Sequence, residues 1–599
     1  MDPLKINEVL LREGEHWLRF TNPQQIIVAE TLDEVIPALQ KLEQRIEQDG
    51  LHAAGFLSYE SAPAFDASHL SRPTAGFPYL WFGLYPAPRV VKLPHPPAPR
   101  PHLDWHPTTE RDIYNAAIEK IKQYISDGKT YQVNYTMRLL AGFNTSAWDF
   151  FLHLAQAQNN HAAYVDIGRY AICSASPELF FQLDGHTITC RPMKGTVKRG
   201  RITSEDQAQA EWLKNSEKNR AENVMIVDMI RNDLGRIARI GSVQVPELFH
   251  TERYPTVWQM TSTVSAQTNA SLTRIFSALF PCASITGAPK VSTMRIINEL
   301  ETTPRSIYTG SIGYISPTRK ATFNVAIRTA LIDRETRKAE YGVGGGIIWE
   351  STSSDEYSEA MLKAHVLTQS QPEFSLLETM LWTPEEGFFL KEQHIQRLLD
   401  SADYFGFPIS FNSRWSSNPE RSGAETKAVS RPTSPREILE SYAGEISSNF
   451  RAPQRVRLLL GRYGELHSES NPYQPPEKIV NARLAAGPVD SSDVFLFHKT
   501  THRQVYERAH SPFLDCDDVL LYNEHNALTE FTIGNLVVEL NGKLVTPPIE
   551  CGLLAGTFRA HLLNTGQVME QKVKVSELEH CTKIFRVNSI RKWENVKVH

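Results

Sequence analysis

Long apolar runs are missing from this chain. No stretch approaches the roughly 20 apolar residues of a membrane span. The start, Met1-Asp2-Pro3-Leu4-Lys5-Ile6-Asn7-Glu8, has no apolar core, which argues against a secretory signal. Cysteine is sparse. Cys173, Cys190, Cys282, Cys516, Cys551 and Cys581 are scattered without a Cys-x-x-Cys pair, which speaks against zinc and for free thiols in a reducing cytosol. A basic excess is missing too: the net charge is −5, so no nucleic-acid surface is expected. No repeat of 20–50 residues is visible. What remains is an ordinary globular composition, 41% hydrophobic and 22% charged, in a 599-residue chain long enough for several domains.

Arg191-Pro192-Met193-Lys194-Gly195-Thr196 sets one lysine among small and apolar residues, and Glu178 lies 16 residues upstream. The segment between reads as strand, Asp184-Gly185 turn and strand. Such a hairpin brings Glu178 and Lys194 to one end of a sheet. A carboxyl and an amine facing one cavity suit general-acid and nucleophile work; a solvated salt bridge fits the same spacing. Residues 53–59 read as a buried strand. Residues 111–127 read as an amphipathic helix with Ile113, Ala117, Ile121 and Ile125 on one stripe, and 131–137 as a strand. Glu356 and Glu359 share a helix face, and Lys363, four residues after Glu359, is placed to pair with it. Gly344-Gly345-Gly346 is open to two readings, an anion-binding nest of backbone N–H groups or a tight turn.

A polar, proline-bearing stretch, Gln369-Ser370-Gln371-Pro372, divides the chain into a first domain, 1–370, and a second, 374–599. Residues 412–436 are rich in Ser, Pro, Arg and Asn and read as a flexible insert without a catalytic role. In the second domain Lys499 precedes Glu530, an Asn541-Gly542 hairpin, and the glycine-bearing helix start Gly552-Leu553-Leu554-Ala555-Gly556-Thr557-Phe558-Arg559. A lysine, an acid and a phosphate cradle are the parts of a pyridoxal phosphate site.

The Met193-Lys194-Gly195-Thr196 turn, Arg220-Ala221-Glu222-Asn223, Ile285-Thr286-Gly287-Ala288-Pro289-Lys290, Gly344-Gly345-Gly346 and Glu356-Tyr357-Ser358-Glu359 occur in order. Together they resemble the chorismate-utilising enzymes over residues 10–370. With lysine at position 194 the resemblance is to the aminodeoxychorismate synthase component I group, because anthranilate synthases carry alanine there. It implies an α+β or mixed α/β fold with a two-layered β-sandwich. It also implies Mg²⁺ held by Glu222 and Glu359 with Glu356 nearby, and a chorismate carboxylate held by Arg328 with Gly344, Gly345 and Gly346. Thr286 lines the ring, Glu178 is the acid and Lys194 the covalent nucleophile. Gln259 stands where many relatives have histidine, so a proton-carrying role there is in doubt. The second domain is similar to two-lobed fold-type IV pyridoxal phosphate enzymes. That likeness makes Lys499 the imine lysine, Glu530 the partner of the pyridine nitrogen, and Gly556 with Thr557 and Arg397 the phosphate site. Phe558 stands where some relatives have threonine.

That second family holds transaminases as well as aminodeoxychorismate lyase, and its motifs alone do not choose between them; fusion to the first domain favours the lyase. The expectation is conversion of chorismate and ammonia to 4-amino-4-deoxychorismate, then to 4-aminobenzoate and pyruvate, in the cytoplasm and on the route to folate. Alternatives are an anthranilate synthase component I joined to a branched-chain or D-amino-acid transaminase, and a non-catalytic ligand-binding regulator. No Gly-x-Cys-x-Gly turn is present, so a separate glutamine amidotransferase subunit is the expected ammonia source. A dimer through the pyridoxal phosphate domain is compatible with the resemblance.

Overall fold

Ten of the eleven residues of the Gln132–Gly142 strand, in the first structural unit, are buried or nearly so. In the computed structural model, residues 3–74, 76–97, 101–157, 161–364, 367, 372–409, 434–475, 479–513 and 515–599 are described. The chain forms two compact units. The first takes Met1–Lys198 and Gln209–Gln371; the second takes Arg199–Ala208 and Pro372–His599.

The first unit holds two ten-stranded sheets. One places Gln132–Gly142 beside Lys338–Ile347; the other holds Leu179–Asp184, Thr187–Arg191, Met193–Lys198 and Val257–Gln267. One apolar cluster takes Val9, Phe20, Val165 and Ile172 from the first sheet and Phe56, Trp81, Tyr85 and Ile312 from the second. Each sheet also packs against helices. Leu39, Leu42, Ile226 and Ile230 cover Phe82, Phe181 and Phe323, while Ile118, Ile121, Phe151 and Leu154 cover Tyr135, Tyr164 and Tyr341. At about 25 cal/mol per Å² of apolar surface removed from water, these clusters dominate the stability of the unit.

Several elements fall where the sequence puts them. His52–Leu57 is a buried strand. Leu179–Asp184 and Thr187–Arg191 pair across Gly185, whose φ of 59° is the left-handed conformation a tight turn requires. The Arg111–Ser126 helix forms, but its buried stripe is Tyr114, Ala117, Ile118 and Ile121, and Ile113 is exposed. Of the predicted stripe Ala117 and Ile121 are buried and Ile125 packs against the core; only Ile113 faces out, because Tyr114, packed on Tyr135 at 5.1 Å, takes the inward direction at that turn.

In the second unit a four-stranded sheet holds Leu376–Thr383 and Gln454–Leu460, and an eight-stranded sheet holds Leu528–Phe531 and Gly534–Leu540. Asn541 and Gly542, at φ 52° and 73°, make the two-residue turn between Leu540 and Lys543. The unit also includes Arg199–Ala208, a segment the sequence assigns to the first domain. Here Arg199 pairs with Asp206 at 2.6 Å and its guanidinium lies 4.3 Å over the Tyr404 ring, whose hydroxyl donates to the Gly200 carbonyl. The predicted boundary at 369–372 and residues 412–433 of the predicted insert lie largely outside the described residues. The last residues of that insert are not loop: Ser434 caps a helix running Pro435–Ser447. Among the described residues no helix is long and apolar enough to cross a membrane.

Candidate functional site

Glu178 sits at the entry of the Leu179–Asp184 strand, and Lys194 lies on Met193–Lys198, the strand that follows the hairpin. Both line one cavity of about 520 Å³, together with Glu222, Gln259, Arg328, Gly344, Gly345, Gly346, Glu356 and Glu359. Sequence separations of up to 181 residues are thus closed at one place.

Glu178 is buried and accepts a hydrogen bond of 2.6 Å from the Ser284 hydroxyl. Burial pushes its carboxyl up to about 7, against the opposing pull of Ser284, the Met193 N–H and the Lys194 charge. It is therefore a proton donor near neutrality. Lys194 lies 3.6 Å from Glu222. Its strand is fastened to the Glu217–Gly235 helix by Asn223, which donates to the Lys194 carbonyl at 3.3 Å and accepts from Ser262 at 2.6 Å.

The glycines form neither a nest nor a turn. They lie inside the Lys338–Ile347 strand, with Gly344, Gly345 and Gly346 opposite Thr136, Tyr135 and Asn134. Close approach explains them. A Cβ at 346 would stand 2.6 Å from Lys194 Nζ and 2.8 Å from Gln132 Nε2, and one at 345 would stand 2.9 Å from a Glu356 oxygen. A Cβ at 344 would strike the Tyr135 carbonyl. The bare strand makes room for the reactive side chains.

Arg328 lines the cavity with φ 49°, a left-handed backbone uncommon for a side-chain-bearing residue, and burial draws its pKa down. Thr286 is not brought to the cavity: it is fully buried and its hydroxyl donates back to the Cys282 and Ala283 carbonyls, while Ser284 and Ile285 face the space instead. Glu359 pairs with Lys363 at 2.9 Å, the pairing its spacing predicts, and that lysine holds its pKa down. Burial raises Glu356, whose other oxygen accepts from Ser351 at 2.6 Å. Glu222, Glu356 and Glu359 are hard oxygen donors lining the cavity, the chemistry Mg²⁺ takes. They are not gathered: among the described residues no three His, Cys, Asp or Glu side chains converge as a metal group.

A second cavity, of about 340 Å³ and within the second unit, is lined by Lys499, Glu530, Arg397, Gly556 and Thr557. Burial, with Arg397 beside it, pulls Lys499 down to about 8. Glu530 is buried and pushed up to about 7 by burial. It accepts from Tyr506 at 2.8 Å, Asn535 at 3.0 Å and the Leu554 N–H at 3.2 Å. Arg397 is held bidentate by Glu378 and donates to the Ala555 carbonyl. Burial would raise Glu378, but Arg397 and His394 overcome it and hold it at about 2. Thr557, the first residue of the Thr557–Asn564 helix, meets His394 at 3.2 Å. Gly556 is the only residue type that fits, since a Cβ there would strike the Asn535 amide. Phe558 turns away and packs with Phe389 and Trp593. Lysine, buffered acid and glycine cradle fit pyridoxal phosphate.

Sequence reasoning missed Ser284, Gln132, Tyr506, Asn535 and the Glu378–His394 pair. Ser284 and His394 stand close to Thr286 and Arg397, but their partners Glu178 and Glu378 lie 106 and 16 residues away, and Asn535 meets Glu530, five residues off, through the pairing of their two strands. Gln132 is fully buried with both amide atoms unpartnered, a feature only the fold displays.

The chain matches the family model for chorismate binding enzyme over residues 7–369 and that for amino-transferase class IV over 375–598. It is 41% identical over 265 residues to aminodeoxychorismate synthase component 1 of Escherichia coli (strain K12), covering 44% of this chain and 58% of that protein. To the component 1 of Bacillus subtilis (strain 168) it is 40% identical over 267 residues, 44% and 56%. The chain thus spans somewhat over half the length of these relatives. Anthranilate synthase component I from Streptococcus pneumoniae TIGR4 superposes with a TM-score of 0.50 at 26% identity, covering 62% of this chain and 94% of that one. With more than half of its residues matched by one model, the chain belongs to the chorismate-binding enzymes, and it carries a class IV aminotransferase domain behind that part.

Proposed function

We propose that the first unit converts chorismate and ammonia to 4-amino-4-deoxychorismate and that the second releases 4-aminobenzoate and pyruvate from it. One observation carries the reading: Lys194 and Glu178 line the same cavity, and Glu178 keeps its proton up to about pH 7. Glu178 protonates the departing ring hydroxyl, which leaves as water. Lys194 Nζ, as the unprotonated amine, adds through its lone pair to the ring as that bond breaks; ammonia then bonds to the carbon that lost the hydroxyl, and the Lys194–ring bond breaks with its electron pair returning to Nζ. Arg328 offers a planar fork to a substrate carboxylate. Gln259 contributes hydrogen bonds only. Glu222 and Glu359, with Glu356 through water, would hold Mg²⁺, which screens substrate charge.

In the second unit Lys499, Glu530, Arg397, Gly556 and Thr557 would hold pyridoxal phosphate, which supplies an electron sink when bound. Lys499 Nζ, brought down to about 8, takes the ring proton whose loss makes the product aromatic. Glu530, fixed by three donors, orients the cofactor ring. The same reading takes the two ten-stranded sheets as layers of a β-sandwich and the four- and eight-stranded sheets as the two lobes of a fold-type IV enzyme. The shared cluster around Phe20 and Phe56 supports the former. Ammonia would come from a separate glutamine amidotransferase subunit. The deciding experiment incubates the chain with chorismate, ammonium, Mg²⁺ and pyridoxal phosphate. The expected product is 4-aminobenzoate; 2-aminobenzoate, or no product, sinks the reading. Borohydride reduction and peptide mapping should place the pyridoxyl label on Lys499.

A further inference from the structure

The cavity around Lys499 is walled by more cationic groups than a lysine and a phosphate cradle require. Arg397, Arg455, Arg457, Arg503 and Arg591 line it, against a single lining carboxyl, Glu530. Two of the five are committed. Arg397 is locked to Glu378, and Arg503 donates to the Thr532 carbonyl while lying 4.5 Å over the Tyr506 ring.

The other three hold donors in reserve. Arg455 and Arg457 are two apart on the Gln454–Leu460 strand and so share a face. Val456 and Leu458 point the opposite way and are buried at 0% and 1% exposure. Arg457 stands opposite Thr379, which lines the same cavity with Leu377. Arg591 occupies the turn after the Lys583–Asn588 strand. Asn588 accepts from the Arg591 and Ile590 N–H groups at 2.8 and 3.0 Å, and Ser589 donates to the Thr379 carbonyl at 3.3 Å. That turn is therefore tied to the arginine-bearing sheet. Arg455 makes no ion pair among the described residues. Arg457, half-buried, pairs at 2.9 Å with an exposed Glu469, and solvent on the carboxylate keeps the pair weak. Arg591 reaches Glu594 only at 3.7 Å, and that carboxylate is already held by Arg586 at 2.8 Å.

We propose that Arg455, Arg457 and Arg591 form a carboxylate-recognising wall that selects an amine substrate carrying two carboxylates. This rests on the lyase reading of the second unit. A cyclohexadiene with a ring carboxylate and an enolpyruvyl carboxylate has two anionic groups; a branched-chain or other monocarboxylic amino acid has one. Guanidinium forks bind carboxylates bidentately, and a site built to hydrogen-bond a group rejects analogues that lack it.

The test uses the full chain loaded with pyridoxal phosphate. Benzene-1,3-dicarboxylate and benzoate are titrated while the absorbance of the bound cofactor is followed, so binding in the first unit is not read. The dicarboxylate is expected to bind at least about tenfold more tightly than benzoate, and Arg455→Ala and Arg591→Ala should each erase most of that ratio. Arg455→Lys should recover only part of it, because an ammonium lacks the fork. Unchanged cofactor absorbance before titration shows that the variants fold and load. In turnover of 4-amino-4-deoxychorismate the variants should raise KM with kcat nearly constant. Equal binding of the two probes, or a ratio untouched in every arginine variant, overturns the wall. Formation of 4-aminobenzoate with unchanged KM in all the variants overturns the wall and leaves the lyase reading standing. Arginine-dependent dicarboxylate selection without any 4-aminobenzoate overturns the lyase reading and leaves the wall.

Discussion

Glu178 shows how burial converts an ordinary carboxyl into an acid for neutral solution. Its folded pKa of about 7 lies above the unfolded value of 4.5, so between these values the folded chain holds a proton that the unfolded chain releases. Stability from this group is complete below pH 4.5 and is lost as pH rises through 7, on the order of 3 kcal/mol in all. Two outcomes are expected. The amination rate should fall about tenfold per pH unit above 7, and Glu178→Gln should abolish that limb while lowering the rate by about 10²–10⁴. The same variant should raise the denaturation midpoint at pH 8 and not at pH 4. A pH–rate series and urea melts at the two pH values check both. Gly346→Ala tests the strand's bareness. The added Cβ meets the movable ends of Lys194 and Gln132, so stability should change by less than about 1 kcal/mol. Amination should nevertheless fall at least about tenfold as Nζ is displaced. Retained activity with circular dichroism unchanged would refute the close-approach account.

At the scale of elements, the Glu217–Gly235 helix does two jobs. It carries Glu222, and through Asn223 it holds the Lys194 strand and Ser262 together. Asn223 is fully buried, so Asn223→Ala leaves the Ser262 hydroxyl, which still accepts from the Phe249 N–H, without its acceptor and the Lys194 carbonyl without the amide donor, costing about 1–3 kcal/mol. Thermal unfolding should show that loss, and on the proposed function amination should weaken through a displaced Lys194 while release of 4-aminobenzoate from added 4-amino-4-deoxychorismate is unaffected. Elements of this kind were largely legible. The Asp184-Gly185 and Asn541-Gly542 hairpins declare themselves by turn chemistry, and Glu178, Lys194, Glu222, Glu356, Glu359, Lys499 and Glu530, which line the two cavities, were legible as candidates from the sequence. In the Arg111–Ser126 helix Ala117, Ile121 and Ile125 face inward as read, but the exposure of Ile113 was not legible, because Tyr114, packed on Tyr135, takes the inward direction there. Nor was the setting of the glycine run, since glycine reads as turn until the neighbours that crowd it are known. Thr286 and Ser284 sit two residues apart on one short turn, and only the backbone path decides which hydroxyl reaches Glu178.

At the scale of the whole molecule, the division of the chain by sequence and the division by contacts differ at Arg199–Ala208. Nothing local marks this stretch. It is polar, follows the Lys194 strand directly, and owes its membership of the second unit to partners some 200–350 residues away. Arg201 offers its carbonyl to His498 Nε2 at 3.1 Å, while His498 Nδ1 accepts from Ser401 at 2.9 Å. Burial pulls His498 down to about 4, so the ring stays neutral and uses both nitrogens. His498 adjoins Lys499, whose carbonyl accepts from the Leu377 N–H at 2.9 Å. A fragment comprising 372–599 lacks the segment. His498 and the Tyr404 hydroxyl lose their carbonyl partners, and each buried donor left unsatisfied costs about 1–3 kcal/mol. The fragment should therefore unfold several degrees below the corresponding transition of the full chain. Adding a 199–208 peptide in excess should raise its midpoint, by mass action on the folded form alone. Identical midpoints for fragment and full chain, with no response to peptide, would mean that the segment contributes nothing to the unit whose residues it touches.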